Sequence, residues 1–259
     1  MTGPKWQQIA DKLRASIADG TRAPGSQLPT EADLVTKWAV SRPTARQALT
    51  ALANEGLITS RPPRGWFVRE RRPVYYRPQA EGHSVATSPE MDSFMGEHSA
   101  EGRQPRQDIE VAIVTPVPPV AQRLRLEPGE AAVVRRRVRY LDGEPFNLND
   151  SYFPRDLVAG SEIMDPAEIA RGANRVLAEL GFRQERVLDE FHVRMPTPQE
   201  VSRLALAPGT PVAAHIATGV TAEGKPVRVV HNVLAGDRHV IVYERPMPPI
   251  ENTESSDHE

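Results

Sequence analysis

The sequence predicts an α+β chain of two unlike parts: a small basic module of three helices and a hairpin, then a larger acidic domain built on an antiparallel sheet with helices between its hairpins. Three observations carry this reading. Charge is divided, because residues 1–77 hold 13 Lys/Arg against 6 Asp/Glu and residues 78–259 hold 19 against 28, while the whole chain of 259 residues sums to −2. Apolar residues recur at helical spacing as far as Ala53 and alternate at strand spacing in much of the chain beyond Gln107. At this length each part can bury a core of its own.

Trp6, Ile9, Ala10, Leu13 and Ile17 share one face of a first helix from about Lys5 to Asp19, stopped by Gly20. After a Pro24-Gly25 turn, Thr30 caps a short second helix, with Asp33 as a weak capping-box partner and Leu34, Val35 and Trp38 as the apolar face. Ala39-Val40 makes the turn. Ser41 caps again, Pro43 is tolerated in the first helical turn, and Ala45, Ala48, Leu49, Leu52 and Ala53 form the buried stripe of a third helix ending before Gly56. Its opposite face shows Arg42, Thr44, Arg46, Gln47 and Thr50. Leu57–Ser60 and Trp66–Val68 read as two strands around the basic turn Arg61-Pro62-Pro63-Arg64-Gly65.

A helix exposing Arg, Thr and Gln after a tight turn, with a basic hairpin beyond it, lets the helix enter a major groove while the hairpin touches the neighbouring backbone. Arginine suits the start of that helix, since its planar fork pairs with guanine O6/N7 or bridges phosphates. An acidic second part repels a polyanion, so nucleic-acid contact is expected near the N-terminus only. A solvated charged helix face is the competing explanation for the arginines.

Leu28-Pro29-Thr30-Glu31, Val40 to Leu49, Leu52, Glu55-Gly56-Leu57-Ile58 and Arg64-Gly65-Trp66-Phe67-Val68 resemble, in order over residues 5–68, the winged helix-turn-helix of GntR-type bacterial transcription regulators. The resemblance implies DNA contacts from Arg42, Thr44 and Arg46, and from Arg64 and Gly65 of the wing; Gln47 lies on the same face. The family usually has an arginine directly after the Glu of its Leu-Pro-Ser-Glu motif, and here that place is Ala32. Lys37 is the candidate substitute.

The domain boundaries expected are residues 1–70 for DNA binding, a basic, proline-containing linker at 71–82 with some strand pairing around Val74-Tyr75-Tyr76, a second domain at 83–246 and a disordered tail at 247–259. In the second domain, strands are expected at Gln107–Thr115, Ala131–Leu141, Pro145–Phe153, Val187–Met195, Pro211–Thr221, Pro226–Val233 and His239–Tyr243, with helices at Ala167–Leu180 and Pro198–Ala205. Asp142-Gly143 makes a hairpin turn. No period of 20–50 residues repeats.

Leu126 to Glu130, Arg137 to Pro145, Ser151-Tyr152-Phe153-Pro154, Leu180-Gly181-Phe182, Leu204 to Pro211 and Ala235 to Arg238 are similar to the effector-binding UTRA domain of the HutC subfamily, whose fold resembles chorismate lyase. That resemblance spans about residues 83–245. It implies an anion held by Arg137 and Arg139, with Thr87 or Ser88 as hydroxyl partners, and alternate strand positions do let two guanidinium groups point the same way. It also implies acidic residues where Asn149 and Arg228 stand, and Ser and Tyr where Arg171 and Ala173 stand. A different anion, a bulkier apolar ligand and no ligand at all stay open, as does a structural ion-pair ladder for the two arginines.

Gly219 to Lys225 imitates a phosphate loop, but Pro226 takes the place of the magnesium-binding hydroxyl and both flanks read as strands, so a hairpin turn is expected. His192, His215, His231 and His239 lie on separate strands without an i, i+4 partner, so no metal is expected, and no cofactor is implied. With no cysteine there is no disulfide or thiolate site. Without an apolar run of 18 residues or a signal-peptide core, a cytoplasmic protein with no membrane partner is expected.

The reading that follows is a homodimeric repressor that binds an inverted-repeat operator in double-stranded DNA and is released by a small effector, with an anion among the candidates. A transfer repressor of the actinomycete plasmid type, with a degenerate pocket, is the alternative. A chorismate-lyase-like enzyme is the reading from another class, and the sequence offers it no nucleophile-base pair, metal set or close carboxylate pair.

Overall fold

The computed structural model describes residues 3–69, 74–79 and 93–245. Thr87, Ser88, most of the expected linker and the expected tail lie outside the described residues.

The first module packs helices α1 (Lys5–Ala18), α2 (Glu31–Trp38) and α3 (Arg42–Asn54) against a hairpin of β1 (Ile58–Arg61) and β2 (Gly65–Val68). Caps set the helix starts. Thr30 and Asp33 complete a reciprocal capping box, and Ser41 accepts from the Thr44 amide. Ala39, in the left-handed region at φ 52°, turns the chain between α2 and α3. Ile9, Leu13, Leu34, Leu49, Leu52 and Ile58 are the centre of a single core, and Arg14 on α1 grips Glu55 just past α3 with a bidentate fork. In the hairpin Ile58 pairs with Val68 and Arg61 with Gly65, and Gln27 Nε2 donates to the Arg64 carbonyl at 2.7 Å, so the wing tip is tied back to the module.

β3 (Val74–Tyr76) follows and pairs in parallel with β10 (His239–Ile241) at the far end of the chain. The expected strand pairing of the linker is therefore present. The second domain contains α4 (Ser93–Ala100), β4 (Pro105–Val114), α5 (Pro118–Leu124), β5 (Ala132–Leu141), β6 (Glu144–Pro154), α6 (Arg155–Val158), α7 (Ala173–Glu179), β7 (Arg186–Arg194), α8 (Pro198–Arg203), β8 (Val212–Val220) and β9 (Pro226–Ala235). Its six-stranded antiparallel sheet has the order β4-β5-β6-β9-β8-β7. Three strands and a helix, β4-α5-β5-β6, recur as β7-α8-β8-β9, with the two halves meeting at β6 and β9. The halves match at one constant spacing: Leu124 with Leu204, Leu126 with Leu206, Pro128 with Pro208, Gly129 with Gly209. Arg125 and Ala205 even share a left-handed backbone, at φ 53° and 46°. The repeat is longer than 20–50 residues and occurs only twice.

One face of the sheet is covered by α5 and α8, through Val120 and Leu124 on one side and Leu204 and Leu206 on the other. The other face is covered at one end by α6 and α7 over Val133, Phe153 and Val227, and at the other by α4, where Phe94 meets Leu141 and Phe146.

Two expectations need correction. The helix expected over Ala167–Leu180 begins only at Ala173, behind Gly172 at φ 79°. Arg135 explains the delay: fully buried, it donates to the carbonyls of Ile163 (3.1 Å), Ala167 (2.7 Å) and Asp165, which holds that backbone in an irregular path. Helix α5 was not expected, because Pro118 and Pro119 hide a helix start that prolines in fact favour. The phosphate-loop imitation is the β8–β9 turn, closed by Thr221 donating to the Lys225 carbonyl at 2.9 Å.

The two modules touch through the second repeat. Arg69, just after β2, pairs with Asp237 at 2.6 Å with both side chains largely buried. Gly209, at φ 75°, lies so close to α3 that an added Cβ would run into the Asn54 carbonyl, whereas the equivalent Gly129, at φ 91°, has open space. This gives a paired test by urea unfolding: Gly129→Ala should cost only the left-handed backbone penalty of about 1–2 kcal/mol. Gly209→Ala should cost clearly more, and equal losses would contradict the docking contact.

Candidate functional site

Helix α3 presents its polar face to solvent. Arg42 and Arg46 are 76% and 62% exposed, yet both are oriented by one carboxylate, since Arg42 Nε donates to Glu31 Oε2 at 3.0 Å and Arg46 donates to Glu31 at 2.8 and 3.1 Å. Glu31 is only 15% exposed. The Arg46 fork, helped by Arg42 and opposed by burial, holds the Glu31 carboxyl below its usual range, so the two arginines keep a charged partner further into acid than an ordinary glutamate would give them. Two forks fanned from one acidic anchor on a rigid helix are pre-organised for planar recognition. A groove of about 660 Å³ runs beside them, lined by Trp6, Arg42, Pro43, Arg46, Gln47 and Thr50 among others.

The other expected contacts fall around this face. Thr44 is half-buried with its hydroxyl 2.8 Å from that of Ser41, Gln47 is exposed, and Lys37 is exposed in the last turn of α2. Arg64 is exposed at the wing tip, and Gly65 takes φ 101°, a conformation that suits glycine. Ala32 is exposed beside Glu31.

In the second domain the register brings one row of side chains across the polar face: Ile109, Arg137, Asn149, Asn232, His215 and Phe191, one from each strand in spatial order. Four of them are joined by hydrogen bonds. Arg137 donates to Asn149 Oδ1 at 3.0 Å, and Asn149 Nδ2 donates to Asn232 Oδ1 at 2.5 Å. Asn232 Nδ2 lies 3.1 Å from both the Tyr76 hydroxyl and His215 Nδ1, and His215 Nε2 lies 2.8 Å from Asp189. Because arginine only donates and carboxylate only accepts, the two ends fix every amide and the imidazole tautomer: Nδ1 accepts and Nε2–H donates. The row is a one-way chain of donors from a buried cation to a carboxylate. Tyr76 of β3 sits on it, 2.9 Å from His215 Nδ1.

Ser151, one alternate position along β6, receives Arg137 at 3.3 Å and Arg228 at 3.0 Å, and Arg228 also donates to the exposed Asn174 at 2.6 Å. Arg139 points to the same side of the sheet as Arg137 but stacks on Phe94, 4.6 Å from the ring centre. Arg171 instead faces outward, paired with Glu162 and Glu179. A cross-strand ion pair of the ladder type does exist, on the opposite face, between Arg136 and Glu110 at 3.0 Å. The four strand histidines do not gather: His215 is in the row, while His239 packs on Phe146, where burial pushes its pKa down to about 4. Among the described residues no cluster of metal-ligating side chains occurs. Sequence reading missed Tyr76, Ser151, Asp189 and Asn232 as site residues. The alternation of Asn147, Asn149 and Ser151 along β6 was the available signal.

Comparison with known proteins decides the family. The model of bacterial regulatory proteins of the gntR family matches residues 5–68, and the UTRA domain model matches residues 100–240. The chain belongs to the GntR family. Within it, the UTRA domain assigns it to the HutC subfamily, whose members are DNA-binding transcription regulators rather than enzymes. It is 31% identical to the HTH-type transcriptional regulator SCO4628 of Streptomyces coelicolor, over 98% of this chain and 97% of that one. It is 29% identical to the mannosyl-D-glycerate transport/metabolism system repressor MngR of Escherichia coli, over 90% and 92%. The crystal structure of a GntR-family transcriptional regulator, 25% identical, superposes with a TM-score of 0.64 over 95% of this chain and 98% of that one. PhnF from Mycobacterium smegmatis, 19% identical with a TM-score of 0.54 over 92% of this chain and all of that one, shares the fold. The α+β architecture read from the sequence is that of the family, and no described helix is long and apolar enough to cross a membrane.

The buried row makes Asn232 energetically critical. Asn232→Leu removes the acceptor of Asn149 and the donor to His215, so urea unfolding should report a loss of about 3 kcal/mol. A loss under about 1 kcal/mol would mean that the row is not a coupled network.

Proposed function

We propose that this GntR-family regulator is a homodimeric repressor that binds an inverted repeat and is released by a small effector. The supporting observation is the arginine pair on α3, fanned from Glu31 on a helix flanked by a basic wing. On this reading Arg42, Thr44, Arg46 and Gln47 contact the operator in the major groove, Arg64 and Gly65 of the wing touch the backbone, and Lys37 supplies the phosphate contact that Ala32 cannot. Residues 1–70 are then the DNA-binding unit and 83–246 the effector and dimerisation unit, joined by a linker at 71–82 and followed by a tail at 247–259, and the protein acts in the cytoplasm. Leu188, Val193 and Met195, exposed on or just past edge strand β7, offer apolar surface of the kind a dimer buries. The relative MngR, a repressor of a transport and metabolism system, favours repression over activation.

The effector site of this reading is the polar face around Arg137, Arg139, Asn149 and Arg228, with Thr87 or Ser88 as further hydroxyls. The donor row gives that site a route to the DNA-binding unit, since Arg137 lies at its head and Tyr76, on the first strand after the wing, lies near its foot. A ligand that takes donors from Arg137 alters the bonds of Asn149, Asn232 and Tyr76 in turn. Only a ligand with different affinity for the two arrangements can shift the equilibrium, and the row is a structural basis for that difference.

Arg46→Ala is the direct test of the DNA contact. Fluorescence anisotropy with the operator selected from random sequence should show a loss of about 1–3 kcal/mol, with relaxed preference at one base position. Unchanged affinity and preference would remove Arg46 from the interface.

A further inference from the structure

We propose that the acidic segment 251–259 docks on the arginine face of α3 in the same chain and competes there with DNA phosphates. The competition rests on the reading of α3 as the DNA-contacting helix; the docking itself does not.

Residues 246–259 carry four carboxylates, on Glu251, Glu254, Asp257 and Glu259, and no Lys or Arg, so this segment opposes in sign the basic module at the other end of the sequence. The arginine face still has charge to offer. One carboxylate, Glu31, is shared by two guanidinium groups, which leaves the trio net positive. Arg42 donates to it through Nε alone and Arg46 through Nε and Nη2, so among the described residues no acceptor meets Arg42 Nη1 and Nη2 or Arg46 Nη1. The outer edge of the Arg42 fork is the geometry that a carboxylate accepts from in bidentate fashion. The groove of about 660 Å³ beside it, with Trp6, Pro43 and Ala51 in its wall, has the size of a site that holds a ligand.

The segment also starts close enough. Just past β10, the Val242 amide donates to the Tyr76 carbonyl at 2.9 Å, and the Tyr243 ring meets that of Phe191 on β7 with centres 6.0 Å apart. Phe191 lies opposite His215 of β8, His215 is six residues from Gly209, and Gly209 touches Asn54 at the end of α3. Followed along the backbone, this path bounds the distance from Tyr243 to Asn54 at about 45 Å, and α3 adds about 12 Å to Arg46. The 16 residues from Tyr243 to Glu259 extend to roughly 53–58 Å before any side chain is counted. The carboxylates therefore reach the arginines even by this indirect route, and the straight line is shorter. DNA and a docked carboxylate cannot hold the same fork, so docking lowers the apparent affinity for every duplex by the fraction of chains whose face is free. Binding to random sequence, which rests on phosphate contacts, is thereby held down while a tight operator still fills.

The test places one nitroxide on the full chain through Ser256→Cys, a unique site because the sequence has no cysteine, and reads backbone amide signals by NMR. The amides of Arg42, Arg46 and Gln47 should broaden, and should recover in the neutralised chain that carries Glu251→Gln, Glu254→Gln, Asp257→Asn and Glu259→Gln. Absence of broadening on α3, or broadening that survives neutralisation, overturns the docking. Broadening that arises only from a label on a second, mixed-in copy puts that copy's segment on the face and overturns the contact within one chain. Anisotropy with a random-sequence duplex at low salt should show the neutralised chain binding about threefold to tenfold more tightly than the wild type, with the gain shrinking as salt rises. In the Arg46→Ala background the same four changes should gain less than about twofold, whereas a full gain there means diffuse charge and overturns the docked competitor. The two readings fail separately. Weaker DNA binding in Arg46→Ala without broadening on α3 overturns the docking alone, while broadening on α3 with DNA binding intact in Arg46→Ala overturns the competition together with the DNA contact.

Discussion

A buried cation at one side of a sheet and a carboxylate at the other, with neutral amides between them, is the constraint around which the second domain is arranged. Arg137 and Asp189 stand on strands separated by three others, and the chain Asn149, Asn232, His215 satisfies each group only if every donor points the same way. A polar network in a dry interior is stable when fully satisfied and costly when any member is lost. The sheet therefore cannot change at Arg137 without a response further along, and the antiparallel register, which sets one residue of each strand opposite the next, keeps the row in line.

That constraint acquires meaning from what rests on it. β3 leads out of the wing, and its Tyr76 hydroxyl bonds both Asn232 and His215, so the segment linking the two modules is seated on the row. A second set of contacts, Arg69 with Asp237 and Gly209 against Asn54, holds the DNA-binding module on the two loops at one end of the β8–β9 pair. The duplicated architecture offers a contrast within one molecule: the Gly129 turn of the first half is open, while the same turn in the second half receives the end of α3. Coupling between sites is demonstrated by energetics rather than by contiguity, and here contiguity supplies the candidate residues.

The first module was legible in the sequence because its signals are local. Thr30 with Asp33, Ser41 with Thr44, and the apolar stripes of three helices each lie within a few residues, and the hairpin follows from its turn. The strands of the second domain were legible by alternation. The helix expected over Ala167–Leu180 starts late because a distant guanidinium, Arg135, claims the carbonyls of Ile163, Asp165 and Ala167 leading into it, and no local pattern carries that information. The prolines that begin α5 read as breakers although they sit where a helix tolerates them. The donor row was illegible for the same reason as Arg135: its members come from six separate stretches of chain, and only strand order and register bring them together. His215, which strand spacing already set apart from any metal site, lies with Nε2 on Asp189 and Nδ1 beside Asn232 and Tyr76.

The most direct measurement of this account is hydrogen exchange along β3 in Asn149→Leu, a change that touches neither Tyr76 nor β10. If the row carries a disturbance at Arg137 to the linker strand, the amides of Val74–Tyr76 and their β10 partners should exchange faster than in the wild type, with the α1–α3 module unchanged. Faster exchange confined to β5 and β6, with β3 as protected as before, would contradict the coupling.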